Sequence, residues 1–189
     1  MIDSTDRIGQ RLDHPEQVPA EFQHLIPDDI ARVEWILSHE VKGRVLDVGC
    51  SDGAISRRIQ DTWDVGLVGA DFNKAVRWAA CWDIREPFKV PSIAIGFDAV
   101  YCTEVLEHLF PHESEIALAN LWAVLKPGGQ LIITVPNRAK EGPHARWDWP
   151  DHKQYFLWWL LEQVLWRQFR DVQCRPIVDD IWLGAVCIK

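Results

Sequence analysis

An apolar strand that ends in an acid, turns on glycines and runs into a helix constrains this chain most: Val45-Leu46-Asp47-Val48-Gly49-Cys50-Ser51-Asp52-Gly53, then Ala54-Ile55-Ser56-Arg57-Arg58-Ile59. A short apolar run bounded by glycine reads as a buried strand, and the apolar spacing over residues 54–59 reads as a helix. A strand feeding a helix is the first half of a β-α-β unit, which commits the chain to a parallel sheet. Gly49 and Gly53 leave the backbone bare where a ligand would have to touch it, so the turn is a candidate binding loop. A second apolar run, Gly66-Leu67-Val68-Gly69-Ala70-Asp71, ends in another acid 24 positions after Asp47. At that offset a carboxylate can accept from both hydroxyls of a ribose.

The glycines follow G-x-x-x-G rather than G-x-G-x-x-G, and Asp47 would repel a pyrophosphate, so a dinucleotide is disfavoured and a cationic group is favoured. The segment resembles the cofactor loop of class I S-adenosylmethionine (SAM) methyltransferases. Three further segments resemble the same family: Cys81-Trp82-Asp83-Ile84-Arg85-Glu86-Pro87-Phe88, Phe97-Asp98-Ala99-Val100-Tyr101-Cys102-Thr103, and Leu121-Trp122-Ala123-Val124-Leu125-Lys126-Pro127-Gly128-Gly129-Gln130-Leu131. The resemblance implies SAM as cofactor. Asp47 would reach the methionine ammonium through water or backbone, with Gly49, Cys50, Ser51 and Gly53 lining the turn. Ser51 stands where family members often have glycine. Asp71 would hold the ribose, Phe72 would lie against adenine, and Asp83 and Ile84 would meet its amino edge. Thr103, ending the fourth strand, joins the cofactor contacts. The alternative role for Asp71 is to cap the Asn73-Lys74 turn.

Strands are expected at 43–50, 66–71, 79–84, 97–103, 130–136, 171–178 and 182–188, with helices at 28–39, 53–62, 104–125 (interrupted) and 154–168. Alternation with short connections predicts an α/β, Rossmann-like, seven-stranded and mostly parallel sheet with helices on both faces. Asp179-Asp180 predicts a hairpin that makes the last strand antiparallel. Only eleven residues separate Asp71 from Asp83, so the helix usual there is shortened or lost. Residues 1–27, polar and interrupted by Pro15, Pro19 and Pro27, are expected to form an arm or lid before a domain at 28–189.

A 48% apolar composition over 189 residues supports one globular unit with a real core. Net charge of −8 without a Lys/Arg cluster argues against long nucleic-acid contacts or an anionic membrane surface. The scattered Cys50, Cys81, Cys102, Cys174 and Cys187 read as buried thiols, and neither a signal peptide nor a spanning apolar run is seen, so a soluble, cytoplasmic protein is expected. Six of the eleven tryptophans lie between Trp147 and Trp182. Burial in a core or a homodimer contact is the first reading, and an aromatic substrate wall the second.

Methyl transfer from a sulfonium asks the protein to align an acceptor, exclude water and take a proton. Methyltransferases acting on adenine or glutamine nitrogens commonly carry N/D-P-P-Y/F after the fourth strand. This chain has Thr103-Glu104-Val105-Leu106-Glu107-His108 instead. On a helix Glu104, Glu107 and His108 would share one face, and His152 could reach the same place from the irregular 137–153 connection. The pattern resembles metal-dependent small-RNA 2′-O-methyltransferases and ubiquinone-pathway O-methyltransferases. It makes Glu104, Glu107, His108 and His152 candidate ligands for Mg²⁺ or Mn²⁺, and Glu104, His108 and His152 candidate catalytic groups. The plain alternative is a structural helix start. The remaining histidines, His14, His24, His39, His112 and His144, lack partners at ligand spacing. The expected acceptor is a small hydroxylated molecule (a phenol, sugar or natural-product intermediate) walled by Trp147 and Trp149. A short RNA is kept open by Arg138, Lys140, Arg146 and Lys153, and a non-catalytic SAM-binding subunit is the third possibility.

Overall fold

Seven strands form one sheet in the order β3-β2-β1-β4-β5-β7-β6. They are β1 (Gly43–Val48), β2 (Val65–Asp71), β3 (Ala80–Cys81), β4 (Phe97–Thr103), β5 (Leu125–Pro136), β6 (Arg170–Ile177) and β7 (Trp182–Ile188). The helices are α1 (Ile26–Leu37), α2 (Ala54–Thr62), α3 (Pro111–Val124) and α4 (Trp158–Trp166). The computed structural model describes residues 26–90, 93 and 95–189. Neighbours from β3 to β5 pair in parallel, and β7 runs antiparallel to both β5 and β6. The predicted fold class is therefore the observed one.

Period-two alternation sends each central strand to two cores. Leu46, Val48, Val100, Cys102, Leu131 and Ile133 pack with Leu118 and Leu121 of α3 and Leu161 and Leu165 of α4. On the opposite face Val45, Ala99, Tyr101 and Ile132 pack with Ile36 of α1 and Ile59 of α2. The strand order reverses between β1 and β4, and ligands of open α/β sheets sit in the crevice at the carboxyl ends of such a pair.

Several boundaries differ from those expected. The helix expected at 28–39 begins two residues earlier, so Ile26 and Pro27 belong to α1 rather than to the arm. The rest of that arm, with His14 and His24, lies outside the described residues. The strand expected at 79–84 is only Ala80–Cys81, because Asp83 accepts from the backbone N–H of Arg85 at 3.0 Å and turns the chain away, two residues before Pro87 removes a donor. The helix expected at 154–168 starts at Trp158. Before it, the N–H groups of Lys153 and Gln154 both donate to the Glu107 carbonyl, at 2.7 and 3.3 Å, which ties the long connection to the end of β4.

No helix joins β2 to β3. A turn lays the Trp78 indole over backbone that such a helix would cover: a Cβ at Gly69 would come within 2.4 Å of the ring, and one at Gly53 within 2.8 Å. The Trp78 Nε1–H donates to the Ser51 carbonyl at 3.0 Å, so the ring braces the glycine turn from outside. Gly69→Val is expected to displace this ring and destabilise the protein by about 1–3 kcal/mol, the usual cost of overpacking. Urea unfolding tests it, and an unchanged midpoint would refute the bracing role.

The expected burial of the cysteines holds for Cys50, Cys102 and Cys187, whereas Cys174 is partly covered and Cys81 is exposed. Burial of the helical tryptophans in the chain's own core does not hold: Trp158, Trp159 and Trp166 are each about half exposed, at 49, 49 and 52%. They fall on the outer side of α4, whose inner side is filled by Leu161 and Leu165.

Candidate active site

A cavity of about 370 Å³ opens over the carboxyl ends of β1, β2 and β4. One end is walled by Val48, Gly49, Asp71, Phe72, Trp82, Asp83 and Ile84, and the other by Glu104, Val105, His108, Leu109, Asp151 and Lys153. A wider depression of about 470 Å³ lies at the amino ends of the strands. It is more open, and its charges already neutralise one another, Lys126 on Asp98 at 2.7 Å and Lys42 on Glu40 at 2.9 Å. The first cavity is the one into which the sequence motifs converge.

Of the residues expected at the cofactor, Gly49, Asp71, Phe72, Asp83 and Ile84 line that cavity. Asp71 is only 5% exposed, and its carboxylate accepts from the Ser51 N–H at 3.0 Å and the Asn73 N–H at 2.8 Å. The alternative capping role is thus real, but a carboxylate has about four acceptor positions, and two remain for a diol. Phe72 is 64% exposed at the rim of the cavity. Asp83 is held by the Arg85 guanidinium at 2.6 Å, and Arg85 in turn reaches Glu113 at 2.9 Å. That hydrogen-bonded guanidinium holds the Asp83 carboxyl below its ordinary range.

Asp47, Cys50, Ser51, Gly53 and Thr103 do not line this cavity. The Asp47 carboxylate is 1% exposed and accepts from the Ser56 hydroxyl of α2 at 2.5 Å. Burial, opposed by that hydrogen bond and assisted by Asp71, pushes its carboxyl up to about 7. Both glycines are also explained differently. Their φ angles are +70° and +84°, which strain any other residue, and their Cβ positions are taken by Val105 and by Trp78 rather than left open for a ligand.

The premise of a shared helical face for Glu104, Glu107 and His108 is corrected by the backbone. Glu104 has φ +57°, outside any helix, and only Leu106–His108 make one 3₁₀ turn. A different grouping results. Ligand atoms of Glu107, His108 and His152 lie within 4.8 Å of one another, and Glu104 is outside that group. Glu107 is 1% exposed, and neither carboxylate oxygen has a hydrogen-bond partner. Burial first, and then the charge of Glu104, raises its carboxyl well above the ordinary value. The His152 Nδ1 lies 3.0 Å from the Trp147 carbonyl, which can only accept, so Nδ1 is the donor there and Nε2 is the nitrogen left for a ligand. His108 Nδ1 lies 3.5 Å from Asp151, while burial lowers the affinity of its ring for a second proton. A buried unpaired carboxylate beside two imidazoles is a donor set suited to a divalent ion.

The expected aromatic walls are not part of the cavity. Trp147 is spent internally, with its Nε1–H on the Lys140 carbonyl at 2.6 Å and the Arg138 guanidinium 3.7 Å from its ring centroid. Trp149 stacks on His152 with centroids 6.3 Å apart. Arg85 and Asp151 line the cavity without having stood out in the sequence as site residues, and Lys153, singled out there only as a possible RNA contact, lines it as well. For Asp151 the available signal was its adjacency to His152.

Residues 16–175 match a family described as a methyltransferase domain. The chain belongs to that family. As a class I methyltransferase domain it is 30% identical, over 152 residues, to a ubiquinone biosynthesis O-methyltransferase of Bordetella avium, an alignment covering 72% of this chain and 61% of that protein. The chain spans about three fifths of the length of such relatives. In structure it is similar to the N-methyltransferase NodS of Bradyrhizobium japonicum bound to S-adenosyl-L-homocysteine (SAH), with TM-score 0.68, 21% identity and 99% of each chain covered. It is also similar to the small RNA methyltransferase HEN1, with TM-score 0.64, 17% identity, and 84% of this chain and 25% of that one covered. At those identities the structural likeness establishes the fold, and SAM is the cofactor to which the methyltransferase domain is fitted.

Proposed function

We propose that this methyltransferase transfers the methyl group of SAM to a hydroxyl of a small hydroxylated molecule, with Glu107, His108 and His152 holding Mg²⁺ or Mn²⁺ beside the transfer site. The observation that carries the reading is that one cavity joins the ribose-type acceptor Asp71 to His108, whose ring stands 5.0 Å from that of His152. SAM supplies an electrophilic methyl when bound. A divalent ion would lower the pKa of a coordinated hydroxyl. The residues do the rest. Asp71 and Phe72 orient the nucleoside, Gly49 and Val48 bring backbone close to the amino-acid end, and the apolar Val105 and Leu109 keep water out. With the ion bound, His108 and His152 would be its ligands and the coordinated hydroxyl would release its proton to solvent; without it, His108, backed by Asp151, or His152 is placed to accept that proton.

The O-methyltransferase relatives support an oxygen acceptor. A short RNA is the second reading, favoured by the likeness to HEN1. The basic residues that kept it open are engaged elsewhere: Arg138 on Trp147, Lys140 on the Asp179 carbonyl at 2.7 Å, and Arg146, 3% exposed, on Asp28. Lys153 alone of that set lines the cavity. Among the described residues no helix is long and apolar enough to cross a membrane; a cytoplasmic location belongs to the proposal. A homodimer through the exposed tryptophans of α4 belongs to the same reading.

Radiolabelled methyl transfer from SAM to catechols, glycosides and short RNAs, with EDTA or with added Mn²⁺ and at two salt concentrations, tests the proposal. Catechol labelling that EDTA abolishes, that His152→Ala lowers by about 100-fold or more, and that salt barely changes is expected. Labelling of RNA alone, falling steeply with salt, would overturn it.

A further inference from the structure

Glu104 occupies a backbone conformation that non-glycine residues rarely adopt, at φ +57°, where the strand ends and the cavity begins. Such a conformation persists only where the surroundings over-determine it. Here they do. Its backbone N–H donates to the Thr134 carbonyl at 3.0 Å, its Oε1 accepts from the Thr134 hydroxyl at 3.0 Å, and its Oε2 accepts from the Trp182 Nε1–H at 2.8 Å.

The donors are themselves anchored. Thr134 is fully buried and its hydroxyl accepts from Arg32 Nη1 at 3.4 Å; Arg32 is also fully buried. The Trp182 ring, 1% exposed, has the Arg32 guanidinium 5.4 Å and the Arg146 guanidinium 5.2 Å from its centroid. Three chain segments far apart in sequence, α1, β5 and β7, thus converge on one carboxylate.

The convergence has a chemical consequence. Glu104 begins the E-x-x-E-H run, yet its oxygens are drawn toward β5 and β7, outside the Glu107, His108 and His152 group. We propose that Arg32, Thr134 and Trp182 are positioning residues that keep the Glu104 carboxylate out of the metal set and present it to the cavity as a hydrogen-bond acceptor for a second polar group of the methyl acceptor. The carboxylate keeps acceptor positions beyond the two it uses, so a vicinal hydroxyl can donate to it while the first is methylated. Acceptors with two adjacent hydroxyls are the class this arrangement selects. The proposal rests on the function proposed above.

Trp182→Phe removes the indole donor and keeps a ring between the arginines, and Glu104→Gln keeps the size of the side chain. In both variants the KM for catechol is expected to rise at least tenfold, while Mn²⁺ affinity by calorimetry and SAH affinity stay within twofold of wild type. Glu107→Gln, by contrast, should lose Mn²⁺ binding. In ¹H–¹⁵N spectra of the indoles, the Trp182 resonance, identified as the one missing in Trp182→Phe, should move in Glu104→Gln. That signal reports the tie without any turnover. A tenfold loss of Mn²⁺ affinity in Glu104→Gln would make Glu104 a ligand and overturn the proposal, as would an unmoved resonance or unchanged catechol kinetics. A wild-type protein that neither binds Mn²⁺ nor methylates catechol would overturn the functional reading and take the acceptor role with it, while the resonance would still show whether the tie exists.

Discussion

Glu107→Met is expected to stabilise the metal-free protein at pH 8 by about 2–3 kcal/mol, the cost of burying an acceptor group with no partner, and to abolish Mn²⁺ binding. The side chain is of similar volume, so little packing is lost. What is removed is a carboxylate that is 1% exposed with both oxygens unpaired. Its carboxyl is raised well above the ordinary 4.5, by burial and then by Glu104. The folded state therefore binds that proton more tightly than the unfolded chain does. Its stabilising contribution is complete below about 4.5 and is lost as pH rises toward the higher folded value. Wild-type stability in EDTA should accordingly fall as pH rises above that point, and the variant should lack this part of the slope. Urea unfolding at pH 5 and pH 8, with EDTA or with Mn²⁺, measures it. Mn²⁺ should stabilise the wild type alone, by mass action on the folded state. A variant less stable than wild type at pH 8 in EDTA, or one still stabilised by Mn²⁺, would contradict the assignment. A residue that weakens the empty fold and binds the ion is the expected signature of a functional site.

Asp71→Ala should weaken SAH binding by about 3–6 kcal/mol, about a hundredfold or more, since charge-assisted hydrogen bonds contribute about 1.5–3 kcal/mol each and a diol makes two. The same carboxylate holds the Ser51 and Asn73 N–H groups, so part of the loss will come from the loosened turn. Asp71→Asn separates the contributions. Its carbonyl keeps one acceptor, and its affinity should fall between the other two proteins. Titration calorimetry with SAH is the measurement, and affinity within twofold of wild type for Asp71→Ala would remove Asp71 from the ribose.

What the sequence could determine was local or periodic. The Val45–Gly53 run, the two acids at strand ends and the Pro127-Gly128-Gly129 stop each express a backbone preference over a few residues, and together they specified the α/β class, the strand order's parallel half and the carboxyl edge where the site lies. The eleven residues between Asp71 and Asp83 announced the lost helix, but not that Trp78 would cover Gly69 and Gly53 in its place. The candidate site divided along the same line. Gly49, Asp71, Phe72, Asp83, Ile84 and His108 line one cavity, and Glu107 and His152 lie beside His108 without lining it. Tertiary contacts alone decided Glu104: helical spacing grouped it with Glu107 and His108, whereas donors from Thr134 and Trp182, 30 and 78 residues away, pulled it to the other side. Periodicity predicts which residues of one element share a face. It carries no information about buried donors on distant strands, and a carboxylate at the mouth of a low-dielectric cavity goes where those donors are.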